Sequence, residues 1–524
     1  MQTFDTPQAV TRWLHDRVSG VLSCDSRQIR PGDGFVAWPG AAQDGRRFVR
    51  AALDAGAAAV VVEHDGADAF AFAFDEQAPV VAVSGLKAQA GLIASAFCHT
   101  PSGKLDVIAI TGTNGKTSTA WWMAQLMSVC ARDCALVGTL GMGRVPASAD
   151  EVTGTSLVPT GLTTPDPMRL QQQLRAFVDD GVNACAIEAS SIGLVEGRLN
   201  GTQIKVAVFT NFTQDHLDFH GDMDSYWAAK AMLFDWPGLA AAVVNLDDVR
   251  GRALAASLGK RDLDLWTIAV GTGSVADTAR LAGRHLVPTS HGMQWEVVER
   301  DGSGKEIAVH LLSLPMVGEY NVSNLLGVLA SARALGVPLT QAVAACAVLS
   351  PVPGRMQPVV PAQGDASLVP WVLVDYAHTP DALEKALRAL QPVVDQRGGE
   401  LWVVIGCGGD RDSSKRPLMA AVAEREAQHA VLTSDNPRTE DPERILQDMA
   451  AGLSRPEAAS LLVDRAQAIA HAVSLARPQD VVLVAGKGHE DYQDAQGVKR
   501  PFSDVSHARQ ALTERLNQVE GSQA

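Results

Sequence analysis

The chain has 524 residues, of which 46% are hydrophobic and 20% charged, and a formal net charge of −15. That length accommodates about three cores of ordinary domain size, and the acidic balance argues against a nucleic-acid backbone as partner, so any anionic ligand needs local clusters of Arg and Lys. The opening MQTFDTPQAVTRWLHDR is polar and no run of about 18 apolar residues occurs, so the expectation is a cytoplasmic chain with neither a secretory signal nor a membrane insertion. Seven cysteines, at 24, 98, 130, 134, 185, 346 and 407, form no CxxC pair, which suits a reducing compartment and argues against a structural zinc site.

The first hundred residues carry short βα units, with an apolar helix at 48–55 and strands at 58–63 and 80–83. Within them, CDSRQIRPGDGFVAWPGAAQDGRRF (24–48) is dense in Gly, Ser and Arg around a strand-like GFVA. Such a stretch serves either a ligand or a plain turn.

A larger α/β unit begins near residue 105. The apolar run 107–110 leads into TGTNGKTS, Thr111 to Ser118, and then into a long apolar-rich segment at 119–129, which reads as strand, glycine loop and helix. In that context Gly112 and Gly115 let the backbone turn with its N–H groups toward an anion. Lys116 reaches outer phosphates and Thr117 offers a hydroxyl to Mg²⁺. The general phosphate-loop pattern needs a glycine where this chain has Ile110, so the loop is a variant. Buried strands are predicted at 184–187, 206–209, 242–245 and 266–270, which indicates a mostly parallel sheet. A hairpin around DGSG and a helix at 318–335 follow. Cys130 and Cys134 are read as packing residues on one helical face. Glu188, after ACAI, and His216, in TNFTQDHLDFHGD after VAVF, fall at strand ends near the loop. With Thr117 they suit a hydrated Mg²⁺ or Mn²⁺ better than Zn²⁺; a buried carboxylate beside a lysine and a turn-capping histidine are the plain alternatives.

The proline-rich joint LSPVPGRMQPVVP (349–361) is the best linker candidate. Beyond it, strands at 371–374, 401–405, 430–432 and 481–485 run into the polar clusters DYAHTPD, GCGGDRDSSKRP, TSDNPRTEDP and GKGHEDYQ. Ligands in open α/β sheets bind beyond the carboxyl ends of strands, so these clusters are expected on one edge. Domains are placed at 1–103, 104–350 and 351–524.

TGTNGKTS, EASSIGL, TNFTQDHLDFHGDMDSYWAAK, GEYNVSNLLGVLA, PGRMQ, DYAHTPDAL, GCGGDRDSSKRP, DNPR and GKGHEDYQ, in this order over most of the chain, resemble the Mur ligase family. GTNGKT is that family's version of the phosphate loop. The resemblance implies an α/β chain of three domains: a small UDP-binding domain, a central P-loop ATPase domain with a mostly parallel sheet, and a C-terminal Rossmann-like domain for the incoming amino acid. It implies a cytoplasmic, monomeric, ATP- and Mg²⁺-dependent amide ligase of peptidoglycan-precursor synthesis. Its reaction would add meso-2,6-diaminopimelate to UDP-N-acetylmuramoyl-L-alanyl-D-glutamate through an acyl phosphate.

By position, the resemblance assigns ATP to Gly112, Thr113, Asn114, Gly115, Lys116, Thr117 and Ser118, with Asn321, Asn324, Arg355, Asp375 and His378. It makes Lys116, Glu188, His216 and Lys230 the catalytic set, and Thr117, Glu188, His216 and Lys230 the metal ligands, the last as a carbamate. Read locally, Lys230 in YWAAK is a solvated helix lysine. Arg355 reads either as a cation brought to phosphate by domain closure or as half of an interdomain ion pair. The UDP-sugar substrate is assigned Ser26, Ala41, Ala42, Gln43, Thr163, Thr164, Ser190 and Arg198. Nearby, Leu162, Ile192 and Glu196 stand where many relatives have Asn, His and Gln. Diaminopimelate is assigned Arg411, Asp435, Asn436, Pro437, Arg438, Gly486 and Glu490. Diaminopimelate differs from lysine by a carboxylate at its far end, so a selective site needs a fixed cation there and an anion for the neighbouring ammonium. The planar fork of Arg438 suits the first and Glu490 the second; lysine-adding relatives lack this arginine.

Overall fold

Val107, Ile108, Ala109 and Ile110 are fully buried and form the middle of the strand Asp106–Thr111. Parallel strands covered on both faces call for unbroken runs of small and β-branched apolar residues, and Ala184–Glu188, Val206–Phe209 and Ala241–Asn245 are such runs, buried from end to end. In the computed structural model, which describes residues 1–40, 43–74, 78–146 and 157–523, these strands belong to a ten-stranded sheet. Asp106–Thr111 lies between Val206–Phe209 and Ala184–Glu188, parallel to both. The loop that follows it therefore emerges between the ends of two neighbours, one finishing at Glu188 and the other leading to Thr210. Antiparallel strands close both edges of the sheet: Gly141–Arg144 on one side, and Gly292–Arg300 with Glu306–Leu314 on the other.

The helix Lys116–Val129 follows the loop and is buried over nearly its whole surface. A helix apolar all round needs cover on all sides, and the largely buried helix Glu319–Ala334 packs beside it in the same core. Cys130 and Cys134 do not share a helical face. The helix stops at Val129, Ala131 adopts a left-handed φ of 62°, and Cys134 opens the strand Cys134–Gly138. Both thiols are buried, so their packing role stands, and all seven cysteines are free.

An amino-terminal parallel sheet orders Gln2–Phe4, Val80–Val83, Ala59–Glu63, Gly34–Ala37 and Leu22–Ser23. Its helix Leu86–Phe97 meets the central unit at close range: a Cβ on Gly91 would lie 2.1 Å from the carbonyl oxygen of Asn200. Asn200 Nδ2 donates to Ala88 O at 3.0 Å, and Lys87 pairs with Glu196 at 2.9 Å. Glu196, one of the departures from many relatives, thus has an ion-pair partner in the amino-terminal unit.

The third sheet orders Gln357–Val359, Trp371–Asp375, Val481–Ala485, Leu401–Cys407, His429–Ser434 and Ala459–Leu461, parallel except at its first edge. The four polar clusters follow four adjacent strands of this sheet, on one edge as expected. The proline-rich joint differs from a loose linker, because both of its flanks bond it down. Ser350 is buried and accepts from Trp121 Nε1 and Gln125 Nε2, while a Cβ on Gly354 would lie 2.1 Å from His489 N. The helix that begins at the glycine loop therefore also anchors the start of the joint. Among the described residues no helix is long and apolar enough to cross a membrane.

Candidate active site

The glycine loop is held from one side by the chain that follows Val206–Phe209. Thr113 N donates to Asn211 O at 2.8 Å, Asn114 N to Asn211 Oδ1 at 2.9 Å, and Thr210 Oγ1 to Asn114 O at 2.6 Å. Gly112 has φ 147°, and a Cβ there would stand 1.9 Å from Thr210 Oγ1; one on Gly115, at φ 85°, would stand 2.3 Å from Asn324 Oδ1. Both glycines are required by close neighbours as well as by backbone sign. The first-turn amides of Lys116–Val129 open toward this loop, the arrangement in which a helix end receives an anion.

Two lysines converge on the same backbone. Lys116 Nζ donates to Gly112 O and Thr113 O, both at 2.9 Å, and Lys230 Nζ donates to Gly112 O at 2.8 Å. Lys230 is 1% exposed, which overturns its local reading as a solvated lysine. The helix Met223–Ala231 turns Tyr226 and Lys230 inward, with Lys230 Nζ 4.3 Å from the centre of the Tyr226 ring and the Tyr226 hydroxyl donating to Thr113 Oγ1 at 3.2 Å. Burial, with the charge of Lys116 second, pushes the Lys230 ammonium down to about 6. Burial also lowers Lys116, while Glu188 and Asp215 pull it up and Arg355 pushes it down. Arg355 from the joint is thus an electrostatic neighbour of the loop lysine, and its guanidinium carbon lies 4.8 Å from the Tyr376 ring centre.

Glu188, 1% exposed, accepts from Thr117 Oγ1 at 2.9 Å and from Thr139 N at 2.8 Å. Thr139 Oγ1 shares a hydrogen bond with Thr163 Oγ1 at 3.1 Å. Thr164 Oγ1 donates to Glu188 O and lies 3.0 Å from Ser190 Oγ, while Arg198 Nη1 donates to Thr164 O at 3.0 Å. Thr163, Thr164, Ser190 and Arg198 are therefore gathered beside Glu188. Ser26 and Gln43 follow the adjacent strands Leu22–Ser23 and Gly34–Ala37 of the first sheet; Ala41 and Ala42 lie outside the described residues.

His216 is not brought to the carboxylate. Its side chain is 46% exposed with φ 52°, and its Nε2 lies 3.5 Å from Asp215 Oδ2. Among the described residues no three His, Cys, Asp or Glu side chains cluster to hold a metal. Thr117 and Glu188 are hard oxygen donors in mutual contact, which fits Mg²⁺, an ion that keeps waters and takes few protein ligands alongside phosphate oxygens.

In the third unit the DNPR and GKGHE loops meet. Asn436 Nδ2 donates to Glu490 Oε2 at 2.8 Å, and a Cβ on Gly486 would lie 2.7 Å from Asp435 Oδ2. Arg438, with φ 51°, donates through Nη1 to Gly409 O at 2.6 Å. A Cβ on Gly408 would meet Arg438 Nη1 at 3.0 Å and Arg411 Cγ at 3.8 Å, so these two arginines flank one glycine. Pro437, between Asn436 and Arg438 in the chain, is buried. Asp375 accepts from Met356 N at 2.7 Å and Ala377 N at 2.8 Å, which places the turn carrying Arg355. His378 is exposed, its Nδ1 2.8 Å from Tyr376 O, and Asn321 Nδ2 donates to Val317 O at 2.8 Å.

Three family models match the chain: "Mur ligase family, catalytic domain" over 20–96, "Mur ligase middle domain" over 110–332, and "Mur ligase, glutamate ligase domain" over 354–488. It is 54% identical to the UDP-N-acetylmuramoyl-L-alanyl-D-glutamate--2,6-diaminopimelate ligase of Acidovorax sp. (strain JS42), across 98% of this chain and 99% of that one. The chain belongs to the Mur ligase family. This Mur ligase is also 46% identical to the protein of the same name from Ralstonia nicotianae, over 97% of this chain and 96% of that one. A solved structure bearing that name superposes with a TM-score of 0.67 at 35% identity, covering 94% of this chain and 95% of that one.

Membership accounts for the motifs but leaves out residues that the geometry brings in. Tyr226 links Lys230 to the glycine loop, Thr139 joins Glu188 to Thr163, and His220 places Nε2 3.0 Å from Ser191 Oγ. The spacing Tyr226 to Lys230, one helical turn, was the available signal for the first; for Thr139 the sequence carries none. The third unit of this Mur ligase adds a buried pair, Arg465 with Asp504 at 2.7 Å, beneath the DNPR and GKGHE strand ends.

Proposed function

We propose that this Mur ligase joins meso-2,6-diaminopimelate to UDP-N-acetylmuramoyl-L-alanyl-D-glutamate with conversion of ATP to ADP and phosphate. The observation that carries the reading is the pairing of Arg411 and Arg438 about Gly408 with the Asp435, Asn436 and Glu490 group on the same sheet edge. A cationic fork and a carboxylate set are what an amino acid with a second carboxylate and a second ammonium needs.

In the first step the acceptor carboxylate oxygen bonds the γ-phosphorus as the bridge to the β-phosphate breaks, and ADP leaves. The diaminopimelate amine then bonds the acyl carbon, phosphate leaves, and the amine gives up a proton. Two anions must meet in the first step, so positioning and charge neutralisation dominate. Lys116 exchanges loop carbonyls for phosphate oxygens, and Arg355, delivered by the joint, adds a second cation. Thr117 and Glu188 would hold Mg²⁺, which neutralises phosphate charge when bound. Lys230, neutral near pH 7 and enclosed beside Gly112, adds CO₂ and gives up a proton to become a carbamate, which places an anion at the loop.

The reading is tested by phosphate release from ATP with the UDP-sugar dipeptide and Mg²⁺, with diaminopimelate, L-lysine or no amino acid supplied. Release that depends on diaminopimelate is expected; preference for lysine would overturn the specificity, and absence of release the activity.

A further inference from the structure

Lys487 of the GKGHE loop is fully enclosed: its side chain is 0% exposed. Its ammonium lies 3.0 Å from Glu490 Oε2 and 3.1 Å from Asn436 Oδ1, with the Tyr492 ring centre 5.6 Å away. A buried lysine is retained only where its charge has partners. Here both partners are residues assigned to the amino-acid pocket.

The contacts have a defined sense. Asn436 Oδ1 accepts from Lys487 Nζ and from Asp494 N at 2.9 Å, so its Nδ2 must face Glu490 Oε2. Glu490 Oε2 thus accepts from two donors, while among the described residues no donor reaches Oε1. One carboxylate oxygen is fixed and the other is left for an incoming N–H group. Burial alone raises Glu490, but Lys487 and Asn436 outweigh it and hold the carboxyl below its usual range.

We propose that Lys487 is the positioning residue of the amino-acid pocket, locking Asn436 and Glu490 so that Glu490 Oε1 receives an ammonium group of the incoming amino acid. The inference rests on the reading of this pocket as the diaminopimelate site. The groups facing Glu490 are Lys487, His489, Asp435, Arg465 and Tyr376. Arg465 is itself paired with Asp504. Burial raises the neighbouring Asp435 carboxyl, whereas Lys487 and Asn436 hold Glu490 down, so Glu490 is the anion kept for an incoming ammonium. Without Lys487, the largest influence holding the Glu490 carboxyl down is gone while burial still raises it, so Glu490 takes up a proton more readily and receives an ammonium more weakly.

Full-length wild type, Lys487→Met and Lys487→Arg are compared by phosphate release between pH 6 and 8.5, with thermal melting as a folding control. The Met variant is expected to raise the KM for diaminopimelate on the order of 30-fold, the size of losing charge-assisted hydrogen bonds, with the KM for ATP unchanged. That defect should shrink as the pH rises, because the carboxylate ionises again. The Arg variant should stay within about threefold of wild type with a flat profile. A diaminopimelate KM unchanged in the Met variant, KM values for both substrates rising together, or a pH-independent defect overturns the inference. If the Met variant fails to fold, the Arg variant decides: a pH-dependent diaminopimelate KM there overturns it. A wild type that does not use diaminopimelate removes the reading of the pocket instead, so the two failures are distinct.

Discussion

In the central unit Lys116 and Lys230 both donate to main-chain oxygens of the glycine loop, whereas in the third unit Lys487 and Arg465 donate to carboxylates. A neutral carbonyl is a weak competitor for an ammonium, so a lysine resting on one is free to follow a phosphate, for which charge-assisted bonds are about twice as strong. A buried cation on a carboxylate does not move, because breaking the pair leaves an uncompensated charge. On the function proposed, the contrast divides labour: the central site re-aims its cations as charge shifts during phosphoryl transfer, and the third holds a shape that selects the amino acid.

The contrast is broken most severely at Lys116. Lys116→Met should lower kcat by about 10³-fold, the size expected when a charge stabilising the phosphoryl transition state is removed, with the KM for diaminopimelate nearly unchanged. A kcat within tenfold of wild type would mean that the loop lysine does not follow the phosphate. On the other side, Arg438→Ala should lower kcat/KM for diaminopimelate by about 10²-fold, as loss of a bidentate carboxylate partner does, and leave the KM for ATP alone. L-lysine, lacking the far carboxylate, should be little affected. An unchanged KM for diaminopimelate would remove Arg438 from the pocket.

What the sequence made legible follows from how each feature is built. The glycine loop and the four clusters of the third unit were readable because each is a continuous segment placed by an apolar strand directly before it. Lys230 was not, since its burial depends on Tyr226, Gly112 and Thr113 meeting across more than a hundred residues of chain. Lys487 carries no legible role within its motif, because only the meeting of one loop with another shows that its partners are Asn436 and Glu490. The joint read as a linker from its prolines, and periodicity does not reveal that Trp121 and Gln125 hold Ser350. His216 shows the converse limit: a motif does not fix where its side chain goes, and here Nε2 lies 3.5 Å from Asp215 Oδ2.

The gentlest way to sharpen the comparison is to titrate the central unit. Burial holds Lys230 at about 6, against the usual 10.5. Since the folded value lies below the unfolded one, the residue lowers stability fully below pH 6, and that cost shrinks as pH rises through the window to 10.5. Within the same window the folded protein presents a neutral amine, the only form that adds CO₂. A ¹³C resonance from labelled bicarbonate is therefore expected to appear on the folded enzyme, to be lost in Lys230→Ala, and to fall away below pH 6. Turnover should drop by a few-fold over that acid limb and recover in part when dissolved CO₂ is raised at constant pH. The buried lysine of the third unit, Lys487, donates to Glu490 and Asn436 instead and serves as the comparison. A carbamate midpoint near 10 would show that the Lys230 enclosure is open to water, and a lysine so exposed would no longer distinguish the two halves of the site.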